Sequence, residues 1–486
     1  MKHLRKGLSM LFIVLLLFTG LPMTKKAEAA SKDQWEVIKE RGELKVGLSA
    51  DYAPMEFEHT VNGEREYAGI DIEIAKKIAK DNGVKLKIVN MSFDSLLGAL
   101  KTGKIDIIIS GMTPTDERKK EVDFSDNYMT VGQTAVVRKK DKDKYKTLKD
   151  LANHRIGVQK QTTQEELAKK EIEGADIQSL TRLPEVILAL KSNKVDAIVM
   201  DSAVGKAYLA QNEDLTFSDA TFADSDKPTA IAVPKDSPEL LSRINKTIAE
   251  VNDKNLIKDY EKIAYDAMND DGNFFTKYGT FFITGLKSTI LISIIGVVLG
   301  AVLGAMIALM KISKILPLKW LASAYIEFLR GTPLLVQVFL VFFGTTAVLG
   351  LDISAFICGA IALVINSSAY IAEIIRAGIN AVDKGQMEAA RSLGLGYGQT
   401  MKSVIMPQAI KNILPALGNE FVTVIKESSI VSVIGVSEIM FNAQVVQGVS
   451  FDPFTPLLIA AVLYFILTFT LSRLMSFIEG RMRVSD

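Results

Sequence analysis

Ile105-Asp106-Ile107-Ile108-Ile109-Ser110-Gly111-Met112-Thr113-Pro114-Thr115-Asp116-Glu117-Arg118 is the stretch from which the fold follows. Its nearly continuous apolar run, Ile105 to Ile109, reads as a short buried strand. In the polar turn after it, Thr113 can cap a helix whose first position is Pro114. Strand, loop and helix start make one step of a βαβ rhythm, and the flanking sequence repeats that step. Leu44 to Leu48 alternates like a strand, and Ile70 to Ala79 places apolar residues at helical spacing. Leu86 to Val89 reads as strand and Leu96 to Leu100 as helix. A second round starts at Arg155-Ile156-Gly157-Val158 and returns at Val195 to Met200; Ala230 to Val233 adds a strand before amphipathic helices run to about Tyr265. The lysine-rich Arg138 to Lys149 reads as a solvated connector between the rounds. A chain that leaves one lobe, builds a second and comes back predicts two α/β lobes on a hinge, with ligand loops at the strand C-termini.

Three of those loops carry chemistry. Free N–H groups near Thr113, with Arg118 one turn on, suit a carboxylate, which would meet a positive dipole end and a guanidinium fork. The alternative makes Arg118 a surface helix arginine beside Lys119 and Lys120. In Gln159-Lys160-Gln161-Thr162-Thr163-Gln164-Glu165-Glu166, the spacing of Thr163 and Glu166 is that of a capping box, so another helix start faces a strand end. Asp201 lies just past the strand Val195 to Met200, where an acid could pair with an ammonium. Tyr52 and Phe93 could wall in a side chain or could be plain core.

Composition divides the chain in two. Residues 1–280 hold 43 Lys/Arg and 45 Asp/Glu, whereas 281–486 hold only 14 and 11. The first density suits a globular protein and the second a bilayer. A net charge of +1 argues against a nucleic-acid partner. The single cysteine, Cys358, excludes an intrachain disulfide framework and a Cys-based zinc site, and the scattered His3, His59 and His154 make a metal cluster or a Ser-His-Asp site unexpected. At the front, Lys2, Arg5 and Lys6, the apolar Leu8 to Phe18 and the pattern Ala27-Glu28-Ala29 predict an export signal over 1–29, or else an uncleaved anchor.

Apolar segments at about 288–310, 331–350, 353–375, 408–440 (interrupted) and 455–478 predict an all-α polytopic membrane domain of about five spans. Gly296, Gly300 and Gly304 recur every four residues, either as a close-packing helix face or as ordinary membrane glycines. Cys358 is expected to pack in apolar surroundings. Lys311, Lys314, Lys319, Arg376, Lys384, Arg391, Lys402, Lys411, Arg481 and Arg483 fall in alternate connections, whereas Thr345 to Asp352 and Ser437 to Phe454 contain no Lys or Arg. That asymmetry predicts an extracellular N-terminal domain and a cytoplasmic C-terminus. Ionisable groups inside apolar spans, Glu373, Glu420, Lys426 and Glu427, are candidates for a translocation path, with packing roles as the alternative.

Two resemblances follow from these motifs. Gly47 to Phe57 (GLSADYAPMEF), Gly69 to Ala75 (GIDIEIA), Phe93 to Tyr128 and Gly157 to Glu166 resemble the bacterial extracellular solute-binding proteins for polar amino acids. The resemblance implies a periplasmic-binding-protein-like domain over 31–268. In that family the positions matching Arg118 and Thr113 hold the α-carboxylate, and those matching Asp201 and Gly111 the α-ammonium. Tyr52 and Phe93 match aromatic flanks; Ser49, Gln159, Gln161, Thr162 and Thr163 match positions near the ligand side chain. Some family members have an acid at Ser49 and a lysine or histidine at Gln159 and Met200. Hydrogen-bonding groups without a counter-charge favour an uncharged polar side chain such as glutamine, with arginine or another basic ligand left open. Second, Glu388-Ala389-Ala390, then Gly394, then Val404-Ile405-Met406-Pro407 resembles the EAA loop of ATP-binding-cassette importer permeases; Arg330 to Gln337 and Lys426-Glu427-Ser428-Ser429 are similar to the polar-amino-acid permeases. This implies a permease domain over 281–486 after a linker, 269–280.

No G-x-x-x-x-G-K-[ST] loop occurs; Gly279 to Ser288 misses its spacing. The chain is therefore expected to carry no cofactor, ATP and magnesium belonging to a separate ATPase docked at Glu388 to Gly394, and to pair as a homodimer or with a partner permease. The rivals are a ligand-gated channel of glutamate-receptor type and a dehydratase. Receptor channels insert their pore between the lobes, whereas here the spans follow the completed lobes and no TVGYG filter is present.

Overall fold

The computed structural model describes residues 33–61, 64–268 and 273–483. The expected export signal lies outside them, as do residues 269–272 of the expected linker.

Lobe 1 is built on a five-stranded sheet in the order Lys85–Asn90, Glu43–Leu48, Ile107–Ile108, Ala232–Val233, Asp123–Phe124. Parallel pairing sets Val46 beside Ile88 on one side and Ile107 on the other. The helix Ile70–Asp81 buries Ile70, Ile74 and Ile78 against it, one face of a 3.6-residue period. Lobe 2 arranges six strands around Met129–Arg138, with Arg155–Gln159 and Ala197–Asp201 at its centre. The chain crosses between the lobes at 125–128 and 230–231. These crossings lie side by side, the Tyr128 N–H bonding the Thr229 carbonyl at 3.1 Å and the Ser125 N–H that of Ile231 at 2.9 Å.

Details of the local reading change. The helix after Ile107–Ile108 runs Asp116–Glu121 and is capped by Thr115, whose side chain accepts from the Arg118 N–H; Thr113 and Pro114 stay in the turn. The helix after Arg155–Gln159, Thr163–Glu171, is capped by Thr162 and not Thr163. In each case two adjacent or nearby threonines satisfy the capping rule, and the path of the preceding strand selects between them. Asp201 is the last residue of its strand. Arg138 belongs to a strand end, its guanidinium bonding the Leu190 and Val195 carbonyls at 2.8 Å, so the connector starts after it.

In the membrane domain the first helix is Phe274–Ile312, well longer than its most apolar core, because Phe281 and Phe282 pack beneath Ile439–Ser450 and the last helix. Leu316–Gly331 and Leu334–Ala347 meet at 107° across Thr332-Pro333, where proline offers no N–H to continue the helix. Ala355–Asn380 is continuous; Tyr397–Ile434 and Ile439–Ser450 meet at 50°; the last helix starts at Thr455. Among the described residues, three helices are thus long and apolar enough to cross a bilayer, or up to five spans if each bent pair counts as one. The glycine stripe is a packing face. A Cβ on Gly300 would lie 2.1 Å from Ser367 Oγ, and one on Gly304 would lie 2.8 Å from the Ser368 carbonyl oxygen.

Both lobes rest on the membrane domain. From lobe 1, Lys45 pairs with Asp352 and Lys104 Nζ bonds Thr345 Oγ1 at 3.2 Å and the Ile353 carbonyl at 3.0 Å. Lys104 Nζ also comes within 3.9 Å of Cys358 Sγ, so the cysteine sits at a polar junction and not in purely apolar surroundings. Arg65 Nη1 bonds Asn442 Oδ1 at 2.8 Å, with its guanidinium over the Phe281 ring. From lobe 2, Asn212 Nδ2 bonds the Phe451 carbonyl at 3.1 Å and Tyr208 meets the Phe451 ring edge-on at 4.9 Å. The helix Ile439–Ser450 thus spans both lobes, and Gly448 lets it lie directly on Asp51, where a Cβ would come within 2.6 Å of Asp51 Cα.

Candidate functional site

Between the lobes lies a small cavity of about 20 Å³. Lobe 1 lines it with Ser49, Asp51, Tyr52, Phe93, Gly111 and Arg118, together with Ser110 and Thr113; lobe 2 supplies Gln159, Thr162, Thr163, Gln164 and Asp201. Most of the lining lies at strand ends or helix starts, as the βαβ rhythm requires, with Gln159 and Asp201 closing their strands and Phe93 and Thr163 opening helices; Asp51 and Tyr52 form a short strand of their own. Gly111 has φ +53° and donates its N–H to Asp71 Oδ2 at 2.7 Å, which fixes the floor.

Arg118 turns inward from its short helix and is buried. Nη1 bonds the Thr113 carbonyl and Nη2 the Gln161 carbonyl, each at 2.8 Å, and the guanidinium lies 5.6 Å from the Phe93 ring centre. Burial pushes its pKa down. Among the described residues no carboxylate comes within ion-pair distance of it. The reading of Arg118 as a surface arginine fails on this burial.

Asp201 stands on the opposite wall. Oδ2 accepts from the Tyr52 hydroxyl at 2.5 Å; Oδ1 accepts from Gln164 Nε2 at 2.7 Å and from Gln133 Nε2. Burial raises its pKa, and the three donors oppose that rise. It too has no cation at ion-pair distance among the described residues. Tyr52 is therefore more than an aromatic flank, since it ties the lobes together through Asp201.

Gln161 faces elsewhere. At φ +62° it gives the site only its carbonyl, while its N–H bonds Glu165 Oε2 at 2.8 Å. Asp51, Ser110 and Gln164 join the lining unanticipated. Gln164 sat within a loop already singled out, and Asp51 two residues after Ser49; nothing local marked either as facing inward.

Beneath the floor, Glu56 Oε1 accepts from Ser110 Oγ at 2.5 Å and Asp71 Oδ1 from the Tyr128 hydroxyl at 2.9 Å. Burial raises the pKa of both carboxyls, that of Asp71 to about 7. A raised carboxyl binds more protons folded than unfolded, so its stability contribution is present at low pH and lost as pH rises through about 7. The melting temperature of the full chain is expected to fall as pH rises from about 4 to about 7, and E56Q, which removes one charge from the pair, to flatten that slope. An unchanged slope in E56Q would exclude the pair as its source.

On the membrane domain, Lys384–Ser392 forms a helix capped by Asp383, with Glu388 and Ala389 exposed and Ala390 buried. Gly394 has φ +85°, which a side chain would strain, and turns the chain away. Leu393 at the helix end is 84% exposed, an apolar knob that the motif did not flag. Of the membrane ionisable groups, Glu373 forms a triad with Lys311 and Arg376. Glu420 is buried, Glu427 Oε2 accepts from Asn366 Nδ2 at 3.3 Å, and Lys426 is exposed. Glu420 and Glu427 lie close enough to feel each other's charge, and Glu427 that of Lys426, whereas Glu373 is held in its own triad.

Residues 44–263 match the family of bacterial extracellular solute-binding proteins, family 3, and residues 296–484 that of the binding-protein-dependent transport system inner membrane component. The arginine transport system permease protein ArtQ of Bacillus subtilis (strain 168) is 42% identical over 206 residues, 42% of this chain and 94% of ArtQ. The putative glutamine transport system permease protein GlnP of Rickettsia conorii is 43% identical over 205 residues, 42% of this chain and 94% of GlnP. Among solved structures, the amino acid ABC transporter substrate-binding protein AbpA of Streptococcus pneumoniae, bound to L-arginine, is 37% identical with a TM-score of 0.47, covering 49% of this chain and 100% of that one.

Proposed function

We infer the working cycle from what the chain is: it belongs to the binding-protein-dependent ABC importers of polar amino acids, with a solute-binding domain and a permease domain in one polypeptide. Its parts are transport parts, and an ABC permease works with an ATPase. In the proposed cycle the cleft captures an amino acid, the lobes close, and ATP binding on two ATPase subunits drives a permease dimer through alternating access.

One observation carries the ligand class. Arg118 and Asp201 are buried on facing walls, each without an ion-pair partner among the described residues. An uncompensated buried charge is costly, and a zwitterion with its carboxylate at Arg118 and its ammonium at Asp201 would relieve both costs at once. Beyond Asp201, the one carboxylate lining the cavity is Asp51, which is already paired with Arg182. That supports an uncharged polar side chain, glutamine above all, with Gln159, Thr162 and Thr163 as its hydrogen-bonding neighbours. Arginine is the second reading, since Asp51 would serve a cation if its own partner gave way. The relatives include permeases for both amino acids.

The proposed orientation puts the solute-binding domain, 31–268, outside the cell and the C-terminus in the cytoplasm. In support, that domain touches Thr345, Asp352, Asn442 and Phe451, all in the two stretches that lack Lys and Arg. The Lys384–Ser392 helix then faces the cytoplasm as the ATPase dock, and one permease domain per chain favours a homodimer.

The test is uptake of labelled glutamine and arginine by proteoliposomes holding the full chain and the cognate ATPase. Uptake should require both ATPase and internal ATP; ligand-triggered ion current without ATP would overturn the reading. In the same assay Glu388→Ala is expected to spare ligand binding and to cut uptake at least about tenfold, the effect of removing one central interface contact. Unaltered ATPase co-purification with coupled uptake would sink the docking role.

A further inference from the structure

Arg182 touches no residue at the ligand-bearing face of the cleft that the chain's motifs singled out, yet it reaches the cavity wall through one carboxylate. It caps the helix Leu183–Lys191 in lobe 2, and Nη1 donates to Asp51 Oδ2 of lobe 1 at 2.9 Å. The other oxygen, Oδ1, accepts from the Ser49 hydroxyl at 2.8 Å. Both partners of the ion pair are almost wholly buried, Arg182 at 2% and Asp51 at 1% exposure. The membrane domain seals them: Gly448 lies on the Asp51 backbone and the Phe441 ring sits 5.9 Å from the Arg182 guanidinium. Glu56 and Glu185 are the other charged groups whose fields reach Asp51.

Two consequences follow from those bonds. With its proton committed to Asp51, Ser49 presents its oxygen to the cavity as an acceptor, which suits a ligand side chain that ends in N–H donors. Both an amide and a guanidinium meet that requirement, so Ser49 does not choose between them. The choice turns on whether Asp51 is felt as a charge. Paired with Arg182 in a sealed, low-dielectric setting, it is neutralised; without that partner it would stand as a bare carboxylate on the cavity wall.

We propose that Arg182 is a specificity-determining residue which, without contacting the ligand, masks Asp51 and so sets the cleft's preference for an uncharged over a cationic amino-acid side chain. This rests on the reading of the cleft as an amino-acid site. Closure of the lobes brings Arg182 and Asp51 together across the cleft, so the mask is assembled as the ligand is enclosed.

Calorimetric titration of the purified full chain with L-glutamine and with L-arginine tests it, the quantity read being the ratio of the two dissociation constants. R182Q is expected to move that ratio towards arginine by about tenfold or more, the direction an unmasked carboxylate dictates. D51N is expected to move it the opposite way, because Arg182 then stands unpaired behind the wall, and R182K should restore the wild-type ratio. The D51N arm stands on its own should R182Q fail to fold. Equal weakening for both ligands in R182Q and D51N would overturn the proposal and leave a purely structural ion pair. Wild-type protein that binds neither amino acid would instead overturn the amino-acid reading itself.

Discussion

With Asp201 changed to alanine, the full-length chain is expected to bind its amino acid on the order of 100- to 1,000-fold more weakly, and Arg118→Ala is expected to match it. Truncating one partner of a buried charge pair costs about 2–5 kcal/mol, much of it from the charge left behind in the ligand. Asp201 already holds three donors, from Tyr52, Gln133 and Gln164, but no cation among the described residues. In the proposed reading a ligand ammonium adds the missing cation. Arg118 is in the mirror situation, held by two carbonyl oxygens and no carboxylate. Calorimetry measures the affinity and a melting curve guards against misfolding. If either variant melted normally and bound normally, the zwitterion site would have to lie elsewhere.

The second large effect concerns the membrane domain. Gly304→Leu is expected to prevent its assembly or to cost more than about 3 kcal/mol, above the usual range for an overpacked core. A Cβ there would meet the Ser368 carbonyl oxygen at 2.8 Å and Ile371 Cβ at 3.0 Å, and a backbone atom cannot step aside as a rotamer can. Gly279→Leu, on the same helix with nothing within 4 Å, is the matched control and is expected to be tolerated. Size-exclusion profiles and thermal unfolding in detergent compare the two. Equal behaviour would mean that the stripe Gly296, Gly300, Gly304 does not set the approach of Ala355–Asn380.

The contrast between those positions shows what the sequence could and could not carry. Period and composition located the lobes, the loops and the apolar segments, because burial on one face leaves a periodic trace. Choices between equivalent neighbours were beyond it: Thr113 and Thr115 are equally good caps, and only the strand's exit direction favours the second. The inward face of Asp51 was hidden for another reason. Its partner Arg182 lies 131 residues away on the other lobe, and no local rule links them. The helix Leu316–Gly331 fell outside the apolar segments, because Lys319, Glu327 and Arg330 interrupt its hydrophobic residues. Contacts such as Lys104 with Thr345, 241 residues apart, join two domains and leave no trace in the local pattern of either.

That shared chain changes the kinetics of delivery. Between Met268, where the last helix of the solute-binding domain ends, and Asn273, which caps the first membrane helix, lie only four residues. Five peptide steps reach at most about 18 Å, a leash so short that the receptor meets its gate at an effective concentration in the millimolar range. Handover becomes a first-order event. Its individual grips can be weak and quickly released, and throughput should scale with the number of assembled transporters, indifferent to any pool of free receptor.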